Sequence, residues 1–154
     1  MATLVTYFSA SGVTKRVAEK IANAIDADIF EIVPETPYTQ ADLDYTNSNS
    51  RSTIEMKDKT FRPPIKETID VSNYDTILIG FPVWWYTAPT IINTFIESCD
   101  MAGKTAIAFC TSGGTGIAGC ENDLKNAYPE INWKAGRKLT GRESDEEIKN
   151  WMDY

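Results

Sequence analysis

Short apolar runs of strand character alternate five times with segments of helical period, and this alternation constrains the fold more than any other feature of the chain. Leu4-Val5-Thr6-Tyr7-Phe8 is the first such run. A Ser/Gly cluster follows, and then Val17, Ala18, Ile21, Ala22 and Ile25 recur at the 3.6-residue period with Lys, Arg and Glu between them. Ile29-Phe30-Glu31-Ile32-Val33 reads as a second strand, stopped at Pro34. Thr76-Ile77-Leu78-Ile79 is a third, short and apolar enough to be buried on both faces. Pro89 is expected in the first turn of a helix that buries Ile91, Ile92, Phe95 and Ile96. Thr105-Ala106-Ile107-Ala108-Phe109 is the fourth strand, followed by a glycine-rich turn and a helix through Leu124 and Ala127. Ile131-Asn132-Trp133 opens a fifth, and Ser144 with Glu147 forms a capping box for a terminal helix carrying Ile148, Trp151 and Met152. Strand–helix alternation of this kind folds as a parallel sheet with helices on both faces and right-handed crossovers. Ligands of such sheets bind beyond the carboxyl ends of the strands.

At 154 residues the chain is expected to form one domain, 1–154. It contains no histidine, which removes Ser-His and Cys-His nucleophile pairs, the imidazole general base and His-ligated zinc. Fifteen basic residues against 22 acidic ones give a net charge of −7, and no run of Lys/Arg supplies the cationic face that a nucleic-acid partner requires. Cys99, Cys110 and Cys120 form no CxxC pair, and neither Cys99 nor Cys110 is followed by the arginine of a phosphatase loop. Three packed or partly exposed thiols outside any disulfide are expected, with no metal site. No segment approaches the ~20 apolar residues of a membrane span. Met1-Ala2-Thr3-Leu4-Val5 runs straight into a strand without a basic leader, so a cytoplasmic location is expected.

Residues 34–75 break the alternation. They are polar, include Pro34, Pro37, Pro63 and Pro64, and hold one short helical stretch near 52–59 with Arg51 and Glu55 at i,i+4 spacing. A connection this long is commonly functional. It is a candidate lip for a ligand pocket, with Asp42, Asp44, Tyr45 and Arg51 as lining residues, the ordinary alternative for each being solvated surface.

Three strand ends carry unusual sequence. Ser9-Ala10-Ser11-Gly12-Val13-Thr14 places three hydroxyls and a glycine at a helix N-terminus. Free N–H groups and the helix dipole favour an anion there, and capping alone needs only one such side chain. Gly80-Phe81-Pro82-Val83-Trp84-Trp85-Tyr86 concentrates four aromatics in a turn, which suits a flat conjugated ligand held by stacking, or else a plug beneath the 34–75 loop. Thr111-Ser112-Gly113-Gly114-Thr115-Gly116 exposes backbone N–H groups to the polar edge of a ring or a sugar chain. Two decoys drop out. Gly114 to Gly119 matches GxGxxG but lacks a following acid-ended strand, and Gly103-Lys104-Thr105 precedes a strand and has Ser98 where a Walker loop needs glycine.

In these motifs the chain resembles the short-chain flavodoxins and flavodoxin-like proteins, over essentially its whole length. Ser9-x-Ser11-Gly12-x-Thr14 is similar to the family's phosphate loop, Gly80-x-Pro82-Val83-Trp84-Trp85 to its first flavin loop in double-Trp form, and Thr111-Ser112-Gly113-Gly114 to its second. The resemblance implies a doubly wound five-stranded parallel α/β sheet of order 2-1-3-4-5 and non-covalent FMN. Ser9, Ala10, Ser11, Gly12, Val13 and Thr14 would hold the phosphate. Pro82, Val83, Trp84, Trp85 and Tyr86 would wall the ring, and Thr111, Ser112, Gly113 and Gly114 would meet its pyrimidine edge and ribityl chain. It implies electron transfer to a redox partner protein, from a monomer or weak homodimer, with no catalytic side chain required. One departure stands out: Val83-Trp84-Trp85-Tyr86 lacks the glycine on which electron carriers flip a peptide toward the reduced ring. Positive φ there would cost ~1–2 kcal/mol. That directs a second expectation toward FMN-dependent, NAD(P)H-driven reduction of a quinone or other small aromatic. A non-redox binding module of the same fold is the third, whereas a receiver domain is opposed by the absence of acids after the first strand and of Asp after the third.

Overall fold

A computed structural model describes residues 2–10, 12–44, 46–84, 87–111 and 116–152. Five strands, β1 (Ala2–Tyr7), β2 (Asp28–Glu31), β3 (Tyr74–Pro82), β4 (Thr105–Thr111) and β5 (Asn132–Lys138), form one sheet of order β2-β1-β3-β4-β5 in which every pairing is parallel. Five helices connect or follow them: α1 (Val13–Ile25), α2 (Arg51–Lys57), α3 (Thr90–Glu97), α4 (Ala118–Ala127) and α5 (Asp145–Met152).

The strict alternation of side chains along a strand divides the core in two. Leu4, Ile77, Ile79, Phe81, Ala106, Ala108 and Cys110 pack with Ile91, Ile92, Phe95 and Ile96 of α3 and with Cys120 and Leu124 of α4. The intervening Val5, Tyr7, Leu78, Ile107 and Phe109 pack against Val17, Ala18, Ile21 and Ala22 of α1 and Ile148 of α5. A one-residue slip of β3 would exchange its two faces, and the differing shapes of the two helix layers hold the register. Gly80 serves the second layer directly. A Cβ there would stand 2.1 Å from Cζ of Phe109 on the adjacent strand, so the ring fills the space a side chain would take.

The elements follow the sequence pattern, with instructive shifts at their ends. β3 is longer than its apolar stretch, because Tyr74 at its start is held by a 2.7 Å hydrogen bond from its hydroxyl to Asp28 on β2. Pro89 precedes the first turn of α3 as its N-cap instead of entering it. β5 starts at Asn132 and runs through polar residues to Lys138, as an edge strand can. The capping box forms as expected, the Glu147 N–H donating to Ser144 Oγ at 3.1 Å.

The long 34–75 connection is zipped at its base. Pro34 and Ile65 form an antiparallel bridge, Glu35 N–H donates to Pro64 O at 2.9 Å, and Lys66 N–H donates to Val33 O at 2.7 Å. These contacts turn the segment back over the carboxyl end of the sheet, where Tyr38 meets Phe8 and Trp84.

Candidate functional site at the carboxyl edge of the sheet

Register places the three unusual strand ends side by side. Tyr7 of β1 pairs with Gly80 of β3, and Pro82 of β3 pairs with Thr111 of β4. Beyond these pairs the chains stay bonded, Phe8 N–H to Gly80 O at 2.9 Å and Val83 N–H to Thr111 O at 3.1 Å. Ser11, Trp85, Tyr86, Ser112, Gly113 and Gly114 lie outside the described residues; Ser9, Ala10, Gly12, Val13, Thr14, Pro82, Val83, Trp84 and Thr111 lie within them.

At the first end, Gly12 adopts φ 93°, a left-handed conformation that a side chain would strain, and an added Cβ would meet none of the described residues within 4 Å. The open side of this turn is therefore free for close approach of a ligand. The Gly12 N–H donates to Ser9 Oγ at 3.0 Å, which closes the turn. Among the described residues no side chain caps helix α1, and its N-terminal dipole faces the rim, which suits an anion.

Thr14 was expected among the anion-holding hydroxyls; it is 2% exposed, and its Oγ1 lies 2.8 Å from Oγ1 of Thr111. Whichever hydroxyl donates, the other keeps a proton to give elsewhere. This buried pair ties the first strand end to the third.

At the second end, Trp84 and Thr87 exchange backbone hydrogen bonds of 3.0 and 3.1 Å. The half-buried Trp84 indole meets Phe8 edge-on at 5.6 Å between centroids and Tyr38 at 5.4 Å. Neither Val83 nor Trp84 takes positive φ; among the described residues the one non-glycine that does is Asp26, at the end of α1. Tyr38 has a support of its own. Its hydroxyl donates to Glu55 Oε1, the other Glu55 oxygen accepts from Arg51 Nε at 2.8 Å, and the Arg51 guanidinium lies 3.8 Å from the Tyr38 ring centroid. Burial first, and then the bond to Glu55, push the Tyr38 hydroxyl far above its ordinary pKa, so it remains a donor.

Of the four lip candidates, Arg51 belongs to this support. Asp42 and Asp44 accept bonds from Thr39 and Thr46 in local turns, and Tyr45 lies outside the described residues. Sequence reasoning missed Tyr38 and Glu55. The Arg51–Glu55 spacing was visible, but nothing local links that pair to an aromatic on the far side of the loop.

An anion-favouring turn, a pair of buried hydroxyls and an aromatic wall thus share one rim. Among the described residues no cluster of His, Cys, Asp or Glu is placed to hold a metal, and no helix is long and apolar enough to cross a membrane.

The comparisons agree with this arrangement. A solved structure of a candidate flavoprotein from Bacteroides eggerthii is 48% identical, with a TM-score of 0.96 over 99% of this chain and 96% of that one. Another, from Bacteroides uniformis, is 49% identical, with a TM-score of 0.94 over 99% and 98%. A Lactobacillus acidophilus flavoprotein solved in complex with FMN is 29% identical, with a TM-score of 0.77 over 99% of both chains. No curated protein matches. The family model described as flavodoxin matches residues 2–154, and the chain belongs to the flavodoxin family.

Proposed function

We infer that this protein binds FMN without a covalent bond and moves electrons through it. The observation that carries the reading is the single rim that brings together the α1 N-terminus with Gly12 at φ 93°, the Thr14–Thr111 hydroxyl pair and the Trp84 wall. FMN supplies the redox chemistry, taking up and releasing electrons; the chain supplies binding and electrostatics. Ser9, Ala10, Ser11, Gly12, Val13 and Thr14 hold the phosphate. Pro82, Val83, Trp84, Trp85 and Tyr86 wall the ring, and Thr111, Ser112, Gly113 and Gly114 reach its pyrimidine edge and the ribityl chain. The fit is supported by an open approach at Gly12 and by an indole already fixed in place by Phe8 and Tyr38. A net charge of −7 opposes the arrival of further negative charge on the ligand, which lowers the potential at which it is reduced.

The chain works as one cytoplasmic domain, 1–154, and passes electrons to a redox partner protein as a monomer or weak homodimer. A second reading, an FMN-dependent reductase driven by NAD(P)H and acting on a quinone-like aromatic, draws support from the 34–75 connection. That segment brings Tyr38 against Trp84 and adds a wall that a simple shuttle does not need. The deciding experiment starts from the visible spectrum of purified protein with added FMN. Saturable uptake with a shifted flavin band is expected, and a colourless protein that takes up no FMN overturns both readings. Mixing the loaded protein with NADH and a quinone then separates them: direct turnover identifies the reductase, and reduction only by a partner protein identifies the carrier.

A further inference from the structure

The bond between the Thr14 and Thr111 hydroxyls has a direction, and burial decides it. Thr14 lies in the first turn of α1 and Thr111 ends β4; their Oγ1 atoms are 2.8 Å apart, and neither hydroxyl makes a second hydrogen bond among the described residues. Each brings one proton and can accept another. Were Thr111 the donor, the Thr14 proton would be left without an acceptor on a residue only 2% exposed, and an unmade bond in such a place is costly. With Thr14 as donor its proton is satisfied. The proton left over then belongs to Thr111, the last residue of its strand at the carboxyl edge of the sheet.

A hydroxyl whose proton is spent on Thr111 has none to give an anion, and a phosphate dianion has no proton for the Thr14 oxygen to accept. The Thr14 side chain therefore stands aside from an anion at the start of α1. Its backbone does not. The Thr14 N–H belongs to the first helical turn, has no intrahelical acceptor, and makes no bond to a described residue. Thr111, for its part, is tied to the second strand end: it pairs with Pro82, and its carbonyl accepts from the Val83 N–H at 3.1 Å, one residue before Trp84.

We propose that Thr14 is a positioning residue, whose hydroxyl donates to Thr111 Oγ1 and turns the Thr111 proton toward an acceptor on the flavin moiety, the part that FMN shares with riboflavin. The inference rests on the FMN reading and sharpens one residue's part in it: Thr14 meets the phosphate through its N–H alone, and its side chain serves the other end of the ligand.

The test measures the affinity of FMN and of riboflavin by quenching of flavin fluorescence in the parent, Thr14→Val, Thr14→Ser, Thr111→Val and the Thr14→Val/Thr111→Val double variant. Val matches Thr in shape, and Thr14→Ala repeats the comparison should Val fail to pack. Thr14→Val should weaken both flavins by the same factor, about three- to tenfold, as loss of one neutral hydrogen bond implies. Thr14→Ser keeps the hydroxyl and should restore both. Thr111→Val should weaken both at least as much, and adding Thr14→Val to it should cost nothing further, because Thr14 acts only through Thr111. The visible band of bound FMN should move toward that of free FMN in Thr14→Val and return in Thr14→Ser, a signature that mere loss of stability would not produce. A Thr14→Val protein that loses affinity for FMN and none for riboflavin would give the hydroxyl back to the phosphate and overturn the proposal. Unchanged affinities, losses that add in the double variant, or a Ser variant that restores nothing would overturn it as well. A parent that binds neither flavin defeats the FMN reading itself, whereas a parent that binds both leaves that reading standing whatever the variants do.

Discussion

Removing the hydroxyl of Tyr38 while keeping its ring isolates the support beneath the aromatic wall. Tyr38→Phe retains the edge contacts to Phe8 and Trp84 and the Arg51 guanidinium over the ring, and deletes only the bond to Glu55. Glu55 is 6% exposed and keeps the Arg51 bond of 2.8 Å, so its charge is not abandoned and the loss sits at the low end for a bond to an ionised group, about 1.5–2 kcal/mol. For a chain of this length that lowers the melting temperature by about 3–8 °C. Tyr38→Ala also removes two aromatic contacts, each of about 0.5–1.5 kcal/mol, and a cation–π contact of about 0.5–1 kcal/mol. The two variants should separate when FMN affinity is measured by quenching of flavin fluorescence. Phe at 38 should bind within about threefold of the parent, and Ala about tenfold more weakly, because only Ala frees the Trp84 indole. Identical melting of Tyr38→Phe and the parent would show that the Glu55 bond does not hold the loop. FMN affinity unchanged in Tyr38→Ala would show that the loop does not support the wall.

Two further outcomes follow from single features. Gly12→Ala places a Cβ on a residue at φ 93° with nothing nearby to clash, so its cost is backbone strain of about 1–2 kcal/mol; calorimetric melting should register it, and FMN should lose affinity while riboflavin, which lacks the phosphate, loses little. Burial first and Glu31 second raise Tyr7 to about 12, burial and then Glu97 raise Tyr128 to about 12, and burial raises the Cys110 and Cys120 thiols to about 12 and about 11. Each group binds its proton more tightly folded than unfolded, so the stability involved is complete below about pH 9 and drains away as pH rises toward 12. Denaturant midpoints should fall steadily across that window, and a flat profile would contradict the burial of these groups.

What was legible in the sequence and what was not divides along contact range. Strand and helix identity came from periodicity because each element's buried face repeats locally; Leu78 between Ile77 and Ile79 already specifies a strand with a helix layer on either side. The three loops were legible because parallel strands deliver their carboxyl ends to one edge whatever the details of packing, so unusual residues after β1, β3 and β4 had to become neighbours. The ends of elements were less legible, since they depend on single polar contacts such as the Tyr74 hydroxyl on Asp28.

The Thr14–Thr111 pair and the Tyr38 support were invisible for a stricter reason. A hydroxyl reads the same in a sequence whether it faces a ligand or another hydroxyl, and only the sheet brings these two, 97 positions apart, to 2.8 Å. Tyr38 sits in a segment with neither period, whose path is set at its base by the Pro34–Ile65 bridge and at its tip by the ion pair of α2. Once both are fixed, little freedom remains for the ring between them. The aromatic wall is therefore built by two different routes: Trp84 is carried there by the sheet, and Tyr38 is held there by a buried carboxylate that sequence spacing alone would assign to a surface helix.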